Sequence, residues 1–261
     1  MRELLDKTIL VTKAKDDTEQ PLSLLTQARA KIIYFPTIKI LPSIDSEGVM
    51  NAASSFDKFD YVVFTSTNAV EVFHEIIKKY NLDLSTKKVA AVGQSTEKKC
   101  KELNITVDFV PEEFSARGLI KKFSEIEIGG KHVLIPGSAL SSDELSIGLT
   151  ELGAAVNKVS TYDVVENSKE DLDDELEQIN LHKPDIFIFT SPSSFDNFCR
   201  IISIGNPVDY FERSVICAIG STTESAIRQK DLTVNIVPAV FSLNGVAEAI
   251  IKYFHITANI A

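Results

Sequence analysis

YVVFTSTN at residues 61–68 reads as a short buried strand that runs straight into a polar turn. IFIFTSPS at residues 186–193 reads the same way, and its Phe189-Thr190-Ser191 lies 125 positions after Phe64-Thr65-Ser66. Other blocks keep nearly the same offset. Val92-Gly93 recurs as Ile219-Gly220, and Val110-Pro111 with Phe114-Ser115 recurs as Val237-Pro238 with Phe241-Ser242, each 127 apart. KTILVTK from Lys7 lines up with KHVLIPG from Lys131, 124 apart. A near-constant offset through separated blocks implies an internal duplication, with two similar lobes and a cleft between them.

The strands repeat with helices between them. Nearly continuous apolar runs occur at 9–11, 32–35, 61–64, 89–92, 107–110, 132–135, 155–159, 186–189, 215–219 and 234–237. Runs of this kind point to parallel strands covered on both faces. Amphipathic helical stretches fall at 68–79, 95–103, 141–152, 195–202, 222–229 and 243–254. The acidic run 166–177 starts a solvated helix, with acids favourable at its N-terminal end. Alternating βα units predict an open parallel sheet with helices on both sides in each lobe. Two stretches, PTIKILPS at 36–43 and STYDVVE at 160–166, alternate with period two and read as half-exposed strands connecting the lobes.

The bulk composition narrows the function. The chain has 261 residues, 44% apolar and 25% charged, with a net charge of −10. That length fits two domains of about 125 residues. A net acidic chain lacks the basic face of a general nucleic-acid binder. No apolar run approaches the ~20 residues that span a bilayer, and no signal peptide is expected at the start. Three scattered cysteines suit a reducing cytoplasm, and the four histidines show no metal-ligand spacing. There is no GxGxxG and no P-loop, so no nucleotide cofactor is expected.

Chemistry concentrates in the turns that follow strands. In open α/β sheets ligands bind outside the carboxyl ends of the strands, where helix N-termini offer unpaired N–H groups to anions. Four clusters sit there: Thr65–Asn68, Gly93–Thr96, Thr190–Ser194 and Gly220–Thr223. Each also reads simply as an N-cap, since Ser, Thr and Gly are common caps. Tyr162, between Thr161 and Asp163, either points its hydroxyl at the cleft or packs the connecting strand.

These motifs together resemble the uroporphyrinogen-III synthase family. The resemblance covers essentially the whole chain. It rests on ILVTK, FDYVVFTSTNAVEVF, VAAVGQST, VPEEFSARGL, LGAAVNKVSTYDVV, PDIFIFTSPSSFDNF, VICAIGSTTESAI and VPAVFSLNGVAEAI in that order. It implies a cyclising hydro-lyase of haem and tetrapyrrole biosynthesis. Hydroxymethylbilane, which carries eight carboxylates, loses water and closes with inversion of its last pyrrole through a spirocyclic intermediate. No metal or organic cofactor is implied. The substrate is the implied partner, with no nucleic acid and no membrane, and a cytoplasmic monomer is expected.

The resemblance also implies a fold and a site. The expected fold is α/β, with two flavodoxin-like lobes of parallel strands joined by a two-strand ladder. Lobe 1 would take residues 1–37 and 166–261, lobe 2 residues 44–158, with 38–43 and 159–165 as linkers. Tyr162 matches the family tyrosine that assists departure of the hydroxyl. Ser66, Asn68, Gly93, Thr96, Ser191, Ser193, Gly220, Thr222 and Thr223 match substrate-positioning turns. Lys13 stands where the family often has arginine, and Pro136-Gly137 stand in a turn that often carries one. The alternative reading is a non-enzymatic two-lobed binding protein for a small anion.

Overall fold

A computed structural model describes residues 4–16 and 18–258. Residues 1–3, 17 and 259–261, part of the expected lobe 1, lie outside them. The strands are β1 (Thr8–Val11), β2 (Lys31–Tyr34), β3 (Ile38–Pro42), β4 (Tyr61–Phe64), β5 (Lys88–Ala91), β6 (His132–Ser138), β7 (Ala155–Glu166), β8 (Ile186–Phe189) and β9 (Val215–Ala218). The helices are α1 (Ser23–Gln27), α2 (Glu47–Ser54), α3 (Thr67–Tyr80), α4 (Gln94–Glu102), α5 (Ala116–Ser124), α6 (Glu144–Glu151), α7 (Asp173–Leu181), α8 (Pro192–Ile201), α9 (Pro207–Phe211), α10 (Ser221–Arg228) and α11 (Leu243–Ala258). The chain divides into two compact units, Met1–Lys39 with Glu166–Ala261, and Ile40–Val165.

Unit 1 holds a parallel sheet in the order β2-β1-β8-β9. Ile236 adds a single parallel bridge to Cys217 at the β9 edge. Alternate residues feed opposite faces, as a strand's period of two requires. Leu10, Ile33, Phe187, Phe189 and Ile216 pack with α8 through Phe195 and Phe198. Ile9, Val11, Ile186, Ile188 and Cys217 pack with α1 and α11 through Leu25, Val246 and Ile250. With both faces covered, no polar alternation survives, which is why the runs read as continuously apolar. The Asp185 carboxylate ties the sheet's amino end, accepting the Thr8 N–H at 2.9 Å and the Lys7 ammonium at 2.7 Å.

Unit 2 holds the order β3-β7-β6-β4-β5, with Phe109 bridging Ala90 beyond β5. Val62, Phe64, Val89 and Leu134 face α3 residues Val70, Phe73 and Ile76. Val63, Ala90, Val133 and Ile135 face α5 and α6 through Leu119, Phe123, Leu145 and Leu149. The Asp60 carboxylate accepts the His132 N–H at 2.9 Å, the counterpart of Asp185 on Thr8.

Repeat and unit do not coincide. The first repeat supplies β1 and β2 to unit 1 and β4 and β5 to unit 2, while the second supplies β6 and β7 to unit 2 and β8 and β9 to unit 1. Counted within this exchange, each unit follows the flavodoxin-like order 2-1-3-4 with an isolated bridge in the fifth place, and unit 2 carries β3 beyond β7. The chain passes between units at Lys39/Ile40 and Val165/Glu166, in or at the end of the paired strands β3 and β7. Their bonds, Ser43 N–H to Thr161 O at 2.8 Å and Asn167 N–H to Thr37 O at 3.1 Å, run antiparallel.

Three expectations change. The runs at 107–110 and 234–237 form isolated bridges rather than full strands. The extended stretch at 160–166 is continuous with the strand at 155–159, giving the twelve-residue β7. Pro136 and Gly137 do not form a turn. They are buried inside β6, opposite Val159 and Ser160 of β7. The β4 ladder on the other side ends at Leu134, so Pro136 needs no N–H there and the strand continues past it.

Candidate functional site

In unit 2 the polar residues gather where β4, β5 and β6 end. β4 runs into Ser66, which caps α3. Its Oγ accepts the Ala69 N–H at 3.1 Å. Asn68 follows in the first turn, half-buried.

Tyr162 arrives from β7, two strands from β4 in the sheet. Its orientation depends on a register break. Gly137 pairs with Ser160, but Ser138 pairs with Tyr162, so Thr161 is an extra residue in the ladder. Its hydroxyl turns to donate to the Gly137 carbonyl at 3.3 Å. Simple alternation would place Tyr162 on the face opposite Val159. The bulge returns both to the same core, and Val164 packs there too. The Tyr162 side chain is thus buried, and its hydroxyl stands 3.0 Å from Ser66 Oγ. Two residues marked in the sequence for different reasons form one hydrogen-bonded pair.

The next helix starts differently. α4 is capped by Gly93, with no side-chain bond to its first N–H groups. Thr96, in its first turn, is 2% exposed. One turn further on, Lys99 bonds Glu71 of α3 at 2.8 Å, and that bond is the main cause holding the Lys99 pKa above its ordinary value. The basic side chains of the β6 side are engaged elsewhere. Lys158 bonds Asp143 at 2.6 Å, and Arg117 bonds Glu144 at 2.9 Å.

Unit 1 repeats this layout with one difference. Ser191 caps α8, accepting the Ser194 N–H at 3.0 Å, while Ser194 Oγ accepts the Ser191 N–H in return. Ser193 Oγ lies 3.1 Å from Ser191 Oγ. Gly220 caps α10 with no side-chain bond, matching Gly93. Thr223 is buried in the first turn and is the positional counterpart of Thr96, whereas Thr222 is exposed. Lys13 is exposed two residues past β1. The Tyr162–Ser66 bond belongs to unit 2.

The N-cap reading therefore holds for Ser66 and Ser191, whose oxygens are used by their own helices. At the two glycine turns the cap is Gly93 or Gly220 itself, which has no side chain and so leaves the first N–H groups of α4 and α10 without a side-chain acceptor. Donors of this kind suit carboxylates. The structure does not bring Pro136 or Gly137 to an exposed turn. The exposed tip after β6 is Ala139-Leu140, held by the Leu140 N–H on Ser138 Oγ at 3.1 Å. A hollow of about 530 Å³ in unit 2, lined by residues such as Ser85, Lys87 and Asp108, contains none of the marked residues. Among the described residues no group of three or more His, Cys, Asp or Glu is placed to hold a metal ion, and no helix is long and apolar enough to cross a membrane.

Comparison with known proteins was made against this geometry. Residues 21–248 match the family described as Uroporphyrinogen-III synthase HemD. The uroporphyrinogen-III synthase of Chlorobaculum parvum is 28% identical over 248 residues, covering 94% of this chain and 98% of the relative. That of Synechococcus elongatus is 26% identical over 253 residues, covering 95% of each. Among solved structures, uroporphyrinogen-III synthetase from Helicobacter pylori superposes with a TM-score of 0.64 at 18% identity, covering 94% of this chain and 99% of that one. A mutant uroporphyrinogen III synthase from Thermus thermophilus gives 0.58 at 15% identity, covering 95% and 99%. These two share the fold.

Proposed function

The chain belongs to the uroporphyrinogen-III synthase family, and from that membership we propose that Tyr162 and Ser66 form the group that assists loss of the hydroxyl from hydroxymethylbilane. The family match makes the chain a cyclising lyase of tetrapyrrole biosynthesis and leaves the anion-binding alternative without support.

One observation carries the reading: the 3.0 Å bond between Tyr162 Oη and Ser66 Oγ. The Ala69 N–H already occupies one lone pair of Ser66 Oγ. Ser66 retains its own proton to donate to Tyr162 Oη. Tyr162 then has its proton free for the departing hydroxyl. The chain from Ala69 through Ser66 to Tyr162 starts at the N-terminus of α3, whose partial positive charge polarises each bond toward the substrate. This hydrogen bond favours loss of water and strengthens as negative charge builds on the leaving oxygen.

The remaining residues position the substrate. Gly93 and Gly220 present the open N-termini of α4 and α10 to carboxylates, with the Thr96, Thr222 and Thr223 hydroxyls as further donors. Ser191, Ser193 and Asn68 add neutral donors, and Lys13 adds one charge. Pro136 and Gly137 contribute through the buried end of β6, which sets the register that aims Tyr162. Holding a flexible tetrapyrrole in one conformation is catalysis by orientation. The three unpaired cysteines fit action in a reducing cytoplasm, and we assign the working form as a monomer.

The test supplies freshly generated hydroxymethylbilane and resolves the oxidised product isomers. Isomer III in excess is expected. Accumulation of isomer I alone, with the protein folded by circular dichroism, would overturn the reading.

A further inference from the structure

Phe114 and Phe241 are large apolar side chains left in solvent, 53% and 62% exposed. Single exposed apolar residues are common and need no explanation. These two occupy equivalent positions in the two repeats, and each is held by the same frame. Phe114 lies against Gly93, where an added Cβ would stand 3.3 Å from the Phe114 Cβ and 3.6 Å from its Cγ. Phe241 lies against Gly220, where an added Cβ would stand 3.2 Å from the ring's Cγ and 3.3 Å from its Cδ2. The cap glycines thus serve a second purpose, since any side chain there would push the ring away.

The root of each phenylalanine is fixed as well. Ser115 Oγ accepts the Gly118 N–H at 3.0 Å, and Ser242 Oγ accepts the Gly245 N–H at 3.1 Å. A Cβ on Gly118 would stand 1.9 Å from the Glu113 carbonyl oxygen, and one on Gly245 2.2 Å from the Val240 carbonyl oxygen. Only glycine lets the chain before each phenylalanine fold this tightly onto the next helix. Glycine costs helix stability there against alanine. Exposure of the ring forgoes part of the free energy of burying it. The same costly frame, kept in both units, holds an aromatic ring in the open beside a helix N-terminus with unused donors. Thr96 and Thr223 stand buried in the first turn of those same helices, each bringing a hydroxyl close to the open N-terminus.

We infer that Phe114 and Phe241 are binding residues for pyrrole rings, each packing against the face of a ring whose carboxylate is received by the adjacent glycine-capped helix. The inference rests on the family reading and deepens it. A pyrrole with acidic side chains has two halves, an aromatic face and an anionic edge, and each frame offers a partner for both. Aromatic pairs contribute about 0.5–1.5 kcal/mol beyond area burial, so removing one ring should weaken binding about three- to tenfold.

The experiment measures KM and kcat for hydroxymethylbilane, together with equilibrium binding of reduced uroporphyrinogen III, in Phe114→Ala, Phe241→Ala, and the Leu and Trp substitutions at each site. Melting temperatures are recorded alongside. The Ala and Leu variants should raise KM and the product Kd about three- to tenfold with kcat within twofold, while Trp restores both. Wild-type KM and Kd in the Ala variants would overturn the inference. Recovery by Leu equal to that by Trp would also overturn it, because the ring would then be only an apolar cover for the glycine. If wild-type protein forms no isomer III, the family reading falls first, and that outcome is distinct from an active enzyme indifferent to both phenylalanines.

Discussion

Tyr162 Oη and Ser66 Oγ lie 3.0 Å apart, although 96 residues separate them in the chain and β6 lies between their strands in the sheet. Tyr162→Phe removes one hydroxyl from this pair and leaves the buried ring in place. Isomer III formation should fall about a hundredfold, within the usual range for a positioned proton donor. The melting temperature should hold within a few degrees. Ser66→Ala should also slow turnover, and it should cost about 1 kcal/mol of stability through the lost cap. The double variant should be little worse than Tyr162→Phe alone, since the two hydroxyls act in series. Additive losses, read from kcat/KM across the four proteins, would break the relay.

Thr96 and Thr223 are buried in the first turns of the glycine-capped helices, while Thr222 is exposed. Valine keeps the shape of threonine and removes the hydroxyl. Thr96→Val and Thr223→Val should each lower kcat/KM about tenfold. Thr222→Val should do less. Steady-state kinetics with the linear bilane ranks the three, and an equal or larger effect at Thr222 would reverse the assignment drawn from burial.

Asp60 gives the fold a defined response to acid. The His132 N–H is the main cause holding its carboxyl below the ordinary range, with Lys131 adding to it against the cost of desolvation. A carboxyl whose pKa is depressed in the folded state stabilises the protein above its unfolded-state pKa. That contribution is lost as the pH falls through the folded value. The urea midpoint should therefore drop as the pH falls through and below the ordinary carboxylate range. Asp60→Asn should flatten the slope while keeping an acceptor for the N–H, as Asn235 does for Ile216 at 2.8 Å. An unchanged slope in that variant would place the acid sensitivity elsewhere.

Cys100 and Cys217 are buried and Cys199 is half-buried, which disfavours the thiolate at each. Desolvation is the main cause raising Cys100, Cys199 and Cys217, each pushed up to about 12. A disulfide reagent at pH 8 should label none of them in the native protein within an hour and all three in denaturant, because the thiolate is the reactive form. Rapid labelling of a cysteine in the folded protein, located by mass spectrometry, would contradict this.

Much of the fold was legible because its strands are buried on both faces. Ile186–Phe189 and Tyr61–Phe64 match the structure residue for residue, since nothing but apolar side chains can stand there. Helix α5 escaped notice because Gly118 lies inside it, and its reason for being there is the nearby Glu113 carbonyl, which no local pattern reveals. Pro136-Gly137 reads as a turn because proline and glycine punctuate chains. Whether a proline ends a strand depends on where the neighbouring ladder stops, and that is a tertiary fact. The polar turns were legible as a set. The pairing of Tyr162 with Ser66 was not, because the bulge at Thr161 reverses the face that alternation assigns to the tyrosine. The two phenylalanines stood in the repeat from the start, but as markers of duplication. Only their exposure gives them another meaning.

The tie between Thr8 and Asp185 spans 177 residues, and it sets a timetable for synthesis. A ribosome adds about 5–20 residues each second, so β1 waits roughly ten to thirty seconds for its neighbour β8 to be made. Unit 2 is one continuous segment and has all its strands as soon as Val165 emerges. Through that interval the β2-β1 pair carries an unpaired edge of Ile9, Leu10 and Val11, a template for association with other nascent chains. The newborn protein is therefore most exposed to aggregation when half of it is already folded, and slowed elongation before Ile186 lengthens that exposure.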